Sequence, residues 1–467
     1  MDEKLSASNE LKEKLFMKKS HGGETLNDDQ IKETYDFANR YKDFLGICKT
    51  EREAVQYTAN RAQKSGFKEF DKKNTYKPGD KVYFIHKNKT LILAVIGKDN
   101  FENGVNFAIA HIDCPRLDLK PTPLYENNDL AYFKTHYYGG IKKYQWPTVP
   151  LSLHGRIVRA DESYVDIRLG DDENEPCFCI TDLLPHLAKD QMAKTMLKAV
   201  TGENLNVLIG SLPFKDDKGS ELVKLNILKL LNEKYNITES DFISAELELV
   251  PAYKPRDLGF DRSMIGGYGH DDRCCAYASI ESILEVESPN ITSVVVLADK
   301  EEVGSDGTTG MKSSFVKYFI ADLIKNQGLK TRDVFTRSKC LSIDVDAGFD
   351  PNFASEYDTT NSCYLNKGVV MTKYTGSGGK MGTSDACAEF AGKIRAILSS
   401  ANVLWQTGEL GKVDGGGGGT IAKFISNLNI DVIDIGVPVL SMHSPFEVIS
   451  KIDLFMCYKA IKAFFEN

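Results

Sequence analysis

The chain has 467 residues, 42% hydrophobic and 27% charged, with a net charge of −8. That length exceeds one ordinary core, so two domains are expected, and the acidic balance speaks against a nucleic-acid or anionic-membrane partner. No run approaches the ~20 apolar residues of a membrane span, no apolar secretory core is visible near the start, and the ten cysteines contain no CxxC pair, so reduced thiols in a cytoplasmic setting are expected.

In chain order, the first fifty or so residues read as helical. Ile31, Tyr35, Ala38, Tyr41 and Leu45 recur at helical spacing, and Thr50 with Glu53 forms a capping box opening a second helix that closes at Gly66. The segments KVYFIHK, TLILAVIG and VNFAIAHID read as strands, the last a near-continuous apolar run suited to burial on both faces. From about Pro121 to about Pro251, alternating segments such as HGRIVRA and SYVDIRLG predict antiparallel sheet, with PHLAKDQMAKTMLKAV as a helix within it.

Beyond Pro251 an α/β rhythm returns. CCAYASIESILEV, TGMKSSFVKYFIADLIKN, SDACAEFAGKIRAILSSA, TIAKFISNLN and FEVISKIDLFMCYKAIKAFF read as helices. TSVVVLAD, CLSIDVDA and DVIDIGVPVL read as strands. The expected architecture is a mixed-sheet α/β domain, residues 1–120 and 252–467, interrupted by a β-rich insertion at 121–251.

The most informative run is Asp299-Lys300-Glu301-Glu302-Val303-Gly304-Ser305, directly after the apolar string ITSVVVLA. Two adjacent carboxylates at the end of a buried strand are costly to desolvate unless something cationic compensates them. Four further segments put ligand-type residues at strand ends or in adjoining loops: AHIDCP, GHDDR, SIDVDAG and SMHSP. In an open α/β sheet, sites form in the crevice beyond the carboxyl ends of the strands. Two imidazoles and three carboxylates there suit two divalent ions. By residue type alone GHDDR offers Asp271 or Asp272; SIDVDAG offers Asp344 or Asp346, with strand position favouring Asp344.

The ordered set HIDCP, HDDR, DKEEVGS, SIDVDAG and SMHS resembles the aspartyl aminopeptidase and aminopeptidase I family of dinuclear metallopeptidases, from His111 to the C-terminus. The resemblance implies His111 and Asp344 on one metal, Glu302 and His443 on the other, and Asp271 bridging both. It also implies Glu301 as general base and Asp113 as the carboxylate that orients His111. The implied cofactors are two divalent ions, zinc foremost with cobalt or manganese as alternatives, and the implied reaction removes acidic or neutral N-terminal residues from peptides. The insertion would then be a dimerisation domain, and the chain a homo-oligomer, commonly a dodecamer.

Three substrate-binding candidates follow from the same resemblance. Lys373 in MTKYTGSGG matches a family position near the substrate's first side chain. PHLA around His186 matches a segment near a histidine that reaches a neighbouring subunit's site, or the position one turn later, Asp190. His270, next to the implied bridge, is a candidate for substrate contact.

Two rival functions share parts of the pattern. An amidohydrolase or deacylase cuts acylated amino acids and needs no free amine, whereas an inactive assembly scaffold has no use for a base such as Glu301. The tracts Gly415 to Gly419 and TGSGGKMG lack the Walker spacing and read as backbone that approaches substrate closely. Absence of HExxH excludes a single-zinc protease of that type. Cys274 and Cys275 read as small buried apolar residues.

Overall fold

Val105–His111 and Thr292–Ala298 offer no polar face, and every residue of both strands is buried. Such strands belong inside a sheet covered on both sides. The computed structural model describes residues 6–17, 20–216 and 218–467, so the first five residues of the expected segment 1–120 lie outside it. In its nine-stranded sheet, four neighbouring strands run parallel: Thr292–Ala298, Val105–His111, Lys339–Ile343 and Asp431–Gly436. Antiparallel strands flank them, Thr90–Val95 on one side and Val369–Thr372 on the other. The fold is a mixed-sheet α/β architecture.

Alternate residues of these strands feed two separate cores. Ala108, Ala110, Val295 and Leu297 pack with the helices Asp28–Ile47, Glu51–Lys64, His270–Glu285 and Lys451–Glu466. Phe107, Ile109, Val294 and Val296 pack with Phe315–Ile324 and Ala422–Ser426. The helix His270–Glu285 is buried from its first residue to Ile283, with Cys274, Cys275, Ala276, Ala278, Ile280 and Ile283 in the core and polar residues such as Asp271 and Arg273 buried beside them. The capping box of Thr50 and Glu53 is formed as the sequence predicts.

A six-stranded antiparallel sheet occupies residues 116–251 and carries its own core, with Leu117, Phe133, Trp146, Leu153 and Leu249. It begins at Arg116, ahead of Pro121. The helix expected over PHLAKDQMAKTMLKAV is instead three short turns, Pro185–Leu187, Lys189–Met192 and Met196–Ala199. Leu187, Met192, Met196 and Leu197 are exposed, so no described residue covers the apolar face on which a longer helix depends. A helix that the periodicity did not suggest, Leu222–Tyr235, packs on this sheet through Ile227, Leu228 and Leu231.

Near the C-terminus, the segment expected as one helix divides. Glu447–Ser450 is a strand of a five-stranded sheet, and the helix is Lys451–Glu466, with the Ser450 hydroxyl accepting from the amides of Ile452 and Asp453. DVIDIGVPVL divides too, because Asp431–Gly436 belongs to the nine-stranded sheet and Pro438–Leu440 to the five-stranded one. Among the described residues no helix is long and apolar enough to cross a membrane.

Candidate metal centre

Parallel strands end together, so residues just past their carboxyl ends converge. His111 closes one strand, Asp344 follows the next, and Glu301 and Glu302 sit in a single turn shortly after Ala298. Asp271 enters from the start of the buried helix, and His443 from the turn between Pro438–Leu440 and Glu447–Ser450. The two oxygens of Asp271 face different imidazoles: Oδ1 lies 3.3 Å from His111 Nε2, and Oδ2 lies 3.1 Å from His443 Nε2. Asp344 Oδ1 stands 3.7 Å from His111 Nε2, and Glu302 Oε2 stands 3.4 Å from His443 Nε2.

Donors bound tetrahedrally at zinc-type distances lie about 3.3 Å from one another. The two groups His111–Asp271–Asp344 and Asp271–Glu302–His443 are therefore of a size to hold one ion each, with Asp271 common to both. A second observation fits: Glu302, only 3% exposed at its side chain, has an Oε1 atom with no hydrogen-bond partner. Nitrogen and carboxylate donors in this mixture suit borderline divalent ions.

The flanking residues orient this set. The Asp113 carboxylate accepts the main-chain N–H of Glu301 at 3.1 Å and of Glu302 at 3.2 Å, and the hydroxyl of Tyr138 at 2.8 Å. His111 Nδ1 donates to the main-chain oxygen of Asp113 at 3.0 Å, with the carboxylate at 3.4 Å. Asp113 thus meets His111 first through its carbonyl. His443 holds a left-handed backbone, φ 63°, and its amide donates to Glu447 Oε1 at 2.7 Å. Glu447 Oε2 accepts the amide of Asp271 at 3.1 Å, so one buried carboxylate ties together two of the converging segments. Sequence reasoning missed Glu447; its only signal is its place four residues after His443 in SMHSPFE.

The electrostatics follow from packing so many acids together. Burial, and then the charges of Asp344, Asp113 and Asp271, push Glu301 from 4.5 up to about 8 against the pull of His111. Burial likewise raises Asp344 from 3.8 to about 6. Burial alone would lower His443, but its hydrogen bond to Asp271 and the charge of Glu302 raise it to about 11. All three groups keep protons in the folded metal-free chain that the unfolded chain releases at lower pH. Their contribution to stability is complete below the unfolded values and is lost as pH rises through the folded ones. Chelator-stripped protein is therefore expected to lose thermal stability from about pH 4, where Asp344 titrates unfolded, to about pH 11, where His443 titrates folded, while zinc binding, which needs deprotonated ligands, tightens over the same range. Melting curves of stripped and zinc-loaded protein across that window should diverge with rising pH; convergence would contradict the assignment.

A cavity of about 470 Å³ opens over the centre. Its far wall is glycine-rich, where Gly376–Ser377 pairs antiparallel with Gly417–Gly418, so both glycine tracts do reach the site. Not every expected residue does. Lys373 is exposed and outside the cavity lining; Lys380 and Lys412 line it instead. His186 is exposed on the turn Pro185–Leu187 of the other sheet. His270 is fully buried with Nδ1 2.7 Å from the Tyr41 hydroxyl, which turns it away from the cavity. Asp272 Oδ2 accepts the main-chain N–H of His111 at 3.3 Å, and Asp346 hydrogen-bonds to Thr372 and to the amide of Ala347, so neither replaces Asp271 or Asp344 in the converging set. Cys274 and Cys275 are buried, as expected.

The family model of the aminopeptidase I zinc metalloproteases (M18) matches residues 44–465. A probable M18 family aminopeptidase 1 from Clostridium acetobutylicum is 49% identical, covering 97% of this chain and 99% of that protein. The crystal structure of aminopeptidase I from Clostridium acetobutylicum superposes with a TM-score of 0.92 at 47% identity, over 97% of this chain and 100% of that one. The S. cerevisiae mApe1 dodecamer shares the fold at 21% identity, with a TM-score of 0.75 over 92% of this chain and 97% of that one. The chain belongs to the M18 family of zinc metalloproteases and is an aminopeptidase, a hydrolase acting on peptide bonds.

Proposed function

We propose that this aminopeptidase is dinuclear, with His111 and Asp344 on one divalent ion, Glu302 and His443 on the other, Asp271 shared, and Glu301 as general base. The observation that carries the reading is the posture of Asp271, whose two oxygens address two different imidazoles at 3.3 and 3.1 Å. Zinc is the proposed ion, and the donor set also accommodates cobalt or manganese. When bound, two such ions acidify a water and polarise the scissile carbonyl. Glu301, half-buried at the cavity, takes the proton and returns it to the departing amine, as a carboxylate positioned beside the reacting groups can do. The carboxylate-rich end of the cavity favours a substrate that brings a free cationic amine, which distinguishes an aminopeptidase from an endopeptidase.

Residues 1–120 with 252–467 are proposed as the catalytic domain and 121–251 as an inserted dimerisation domain. Support comes from the separate core of the inserted sheet and from its exposed Leu184, Leu187, Met192, Met196 and Leu197, an apolar run suited to a second copy. By analogy with the fold-sharing mApe1 assembly the proposed state is a dodecamer, and light scattering tests it. All ten cysteines are free thiols, which supports a cytoplasmic location.

The deciding experiment is hydrolysis of Asp-, Glu- and Leu-aminoacyl chromogenic substrates by chelator-stripped protein, before and after adding zinc, cobalt or manganese, beside a panel of N-acylated amino acids. Metal-dependent release from the free-amine substrates is expected. Cleavage of the acylated panel alone would overturn the reading in favour of a deacylase. A wall carrying Lys380 and Lys412 beside Leu410 and Val413 accommodates an acidic or a neutral first residue, and the rate ratio decides between them.

A further inference from the structure

The strand Leu130–Tyr138 belongs to the six-stranded sheet, yet its last residue and the two glycines after it touch three groups of the acidic centre. Tyr138 Oη donates to Asp113 Oδ2 at 2.8 Å. At Gly139 a Cβ would stand 3.3 Å from Glu302 Cβ and 3.4 Å from its Oε2, so the backbone lies against that side chain. The main-chain oxygen of Gly140 lies 2.8 Å from His443 Nδ1. A carbonyl can only accept, so Nδ1 carries a hydrogen, and Nε2, facing Asp271 and Glu302, is the nitrogen that can give up its proton and offer a lone pair to a cation.

We infer that Tyr138-Gly139-Gly140 is a positioning segment, lent by the six-stranded sheet, that orients His443 directly and His111 through Asp113 for metal binding. The inference rests on the proposed ligand set. It gives the inserted sheet a part in the chemistry beyond self-association.

The segment is itself held in place. The Arg116 guanidinium lies 3.9 Å over the Tyr138 ring, an attraction between a cation and the ring's negative face. Arg116 in turn pairs with Glu51 from the helix Glu51–Lys64 and with Asp118 and Glu248 from its own sheet. The hydroxyl thus arrives at Asp113 on a ring anchored from both parts of the molecule. Hydrogen bonds to an ionised carboxylate are short and strong. The same carboxylate holds the amides of Glu301 and Glu302, so freeing it loosens the glutamate turn as well as His111. Partners of this kind typically control roughly 10–100-fold in metal affinity.

Two variants separate the two contacts. Tyr138→Phe removes one hydroxyl and keeps the ring under Arg116. Gly140→Ala places a methyl 3.3 Å from His443 Nδ1, close enough to push the imidazole by a few tenths of an ångström. Chelator-stripped protein is titrated with zinc against a chromophoric competitor, with His111→Ala and His443→Ala as references and circular dichroism melts reporting the fold. Gly140→Ala is expected to weaken the ion that His443→Ala removes by roughly 10–100-fold, and Tyr138→Phe, which frees the carboxylate that faces His111 and holds the Glu302 amide, to weaken both zinc steps by up to the same factor. KM should stay unchanged, and excess zinc should restore kcat, which a general structural defect would not allow. If both variants bind two ions with wild-type affinity while the reference variants each lose one, the ligand set stands and the positioning role is overturned. If the reference variants themselves keep both ions, the ligand reading fails. Should one variant not fold, the other still decides, because each breaks a different contact of the segment.

Discussion

Replacing Glu301 with glutamine is expected to lower kcat by roughly 10²–10⁴-fold while leaving the metal content and KM near wild type. The expectation comes from how the structure separates two adjacent glutamates. Both line the cavity, but the Glu302 side chain is only 3% exposed, with Oε2 3.4 Å from His443 Nε2. Glu301 stays half-buried at the cavity, and burial raises both carboxyls, so position rather than acidity separates them. One side chain is placed to hold an ion, the other to hold a proton. Glutamine keeps the size of Glu301 and its main-chain hydrogen bond to Asp113, so the turn and its neighbour should not move. What it removes is proton transfer, and a loss of 10²–10⁴ corresponds to about 3–5 kcal/mol of transition-state stabilisation. Metal analysis with steady-state kinetics on the preferred aminoacyl substrate checks it. Glu302→Gln provides the contrast, since it should shed an ion. A Glu301→Gln protein that loses metal, or one that keeps its kcat, would reject the division of labour.

Much of this centre was legible because its residues announce themselves locally. His111 ends a seven-residue apolar strand, Asp344 stands just past a second, and the Glu301-Glu302 pair follows a third, so chemistry and strand ends coincide in the sequence. By residue type the choice between Asp271 and Asp272 was open and only the family resemblance favoured Asp271; both side chains are buried and differ in whether they meet the imidazoles or the main chain of His111. Groups that act through or upon main-chain atoms left little or no trace. The Gly140 carbonyl carries no side-chain signature, and Glu447 works by accepting two amides.

Two of the failures in secondary structure lie in the inserted sheet and have opposite causes. In PHLAKDQMAKTMLKAV the periodicity is real, but the apolar face has no partner among the described residues, and periodicity alone does not sustain a helix of that length. Leu222–Tyr235 escaped notice for the opposite reason. Its start has no side-chain cap, since Glu221 at that position adopts a left-handed conformation, and its leucines are spread around the helix rather than along one stripe. Lys373 shows the limit of motif register: the motif lies beside the cavity, yet the side chain falls outside its wall and Lys380 lies within.

Asp271→Asn should abolish activity and cost metal at both positions, whereas Asp272→Asn should keep two ions and most of the rate. Asparagine at 271 retains one oxygen and turns the other into an NH₂ group, which donates where an ion needs a lone pair. Because Oδ1 faces His111 and Oδ2 faces His443, no rotation of the amide serves both sides. The loss should exceed the roughly 10–100-fold attached to partners that only orient a ligand, and it should appear in both steps of a zinc titration rather than in one. At position 272 the argument reverses. Burial raises the Asp272 carboxyl well above its ordinary value, and one of its oxygens already lacks a partner. A neutral amide that still accepts the His111 N–H replaces it with little disturbance. Zinc should then raise the melting temperature of the wild type and of Asp272→Asn, because an ion that binds only the folded state stabilises it by mass action. It should leave Asp271→Asn unmoved at the same concentration. Two ions and full kcat in Asp271→Asn would remove the shared carboxylate from the centre, and with it the reason for expecting a pair of metals there.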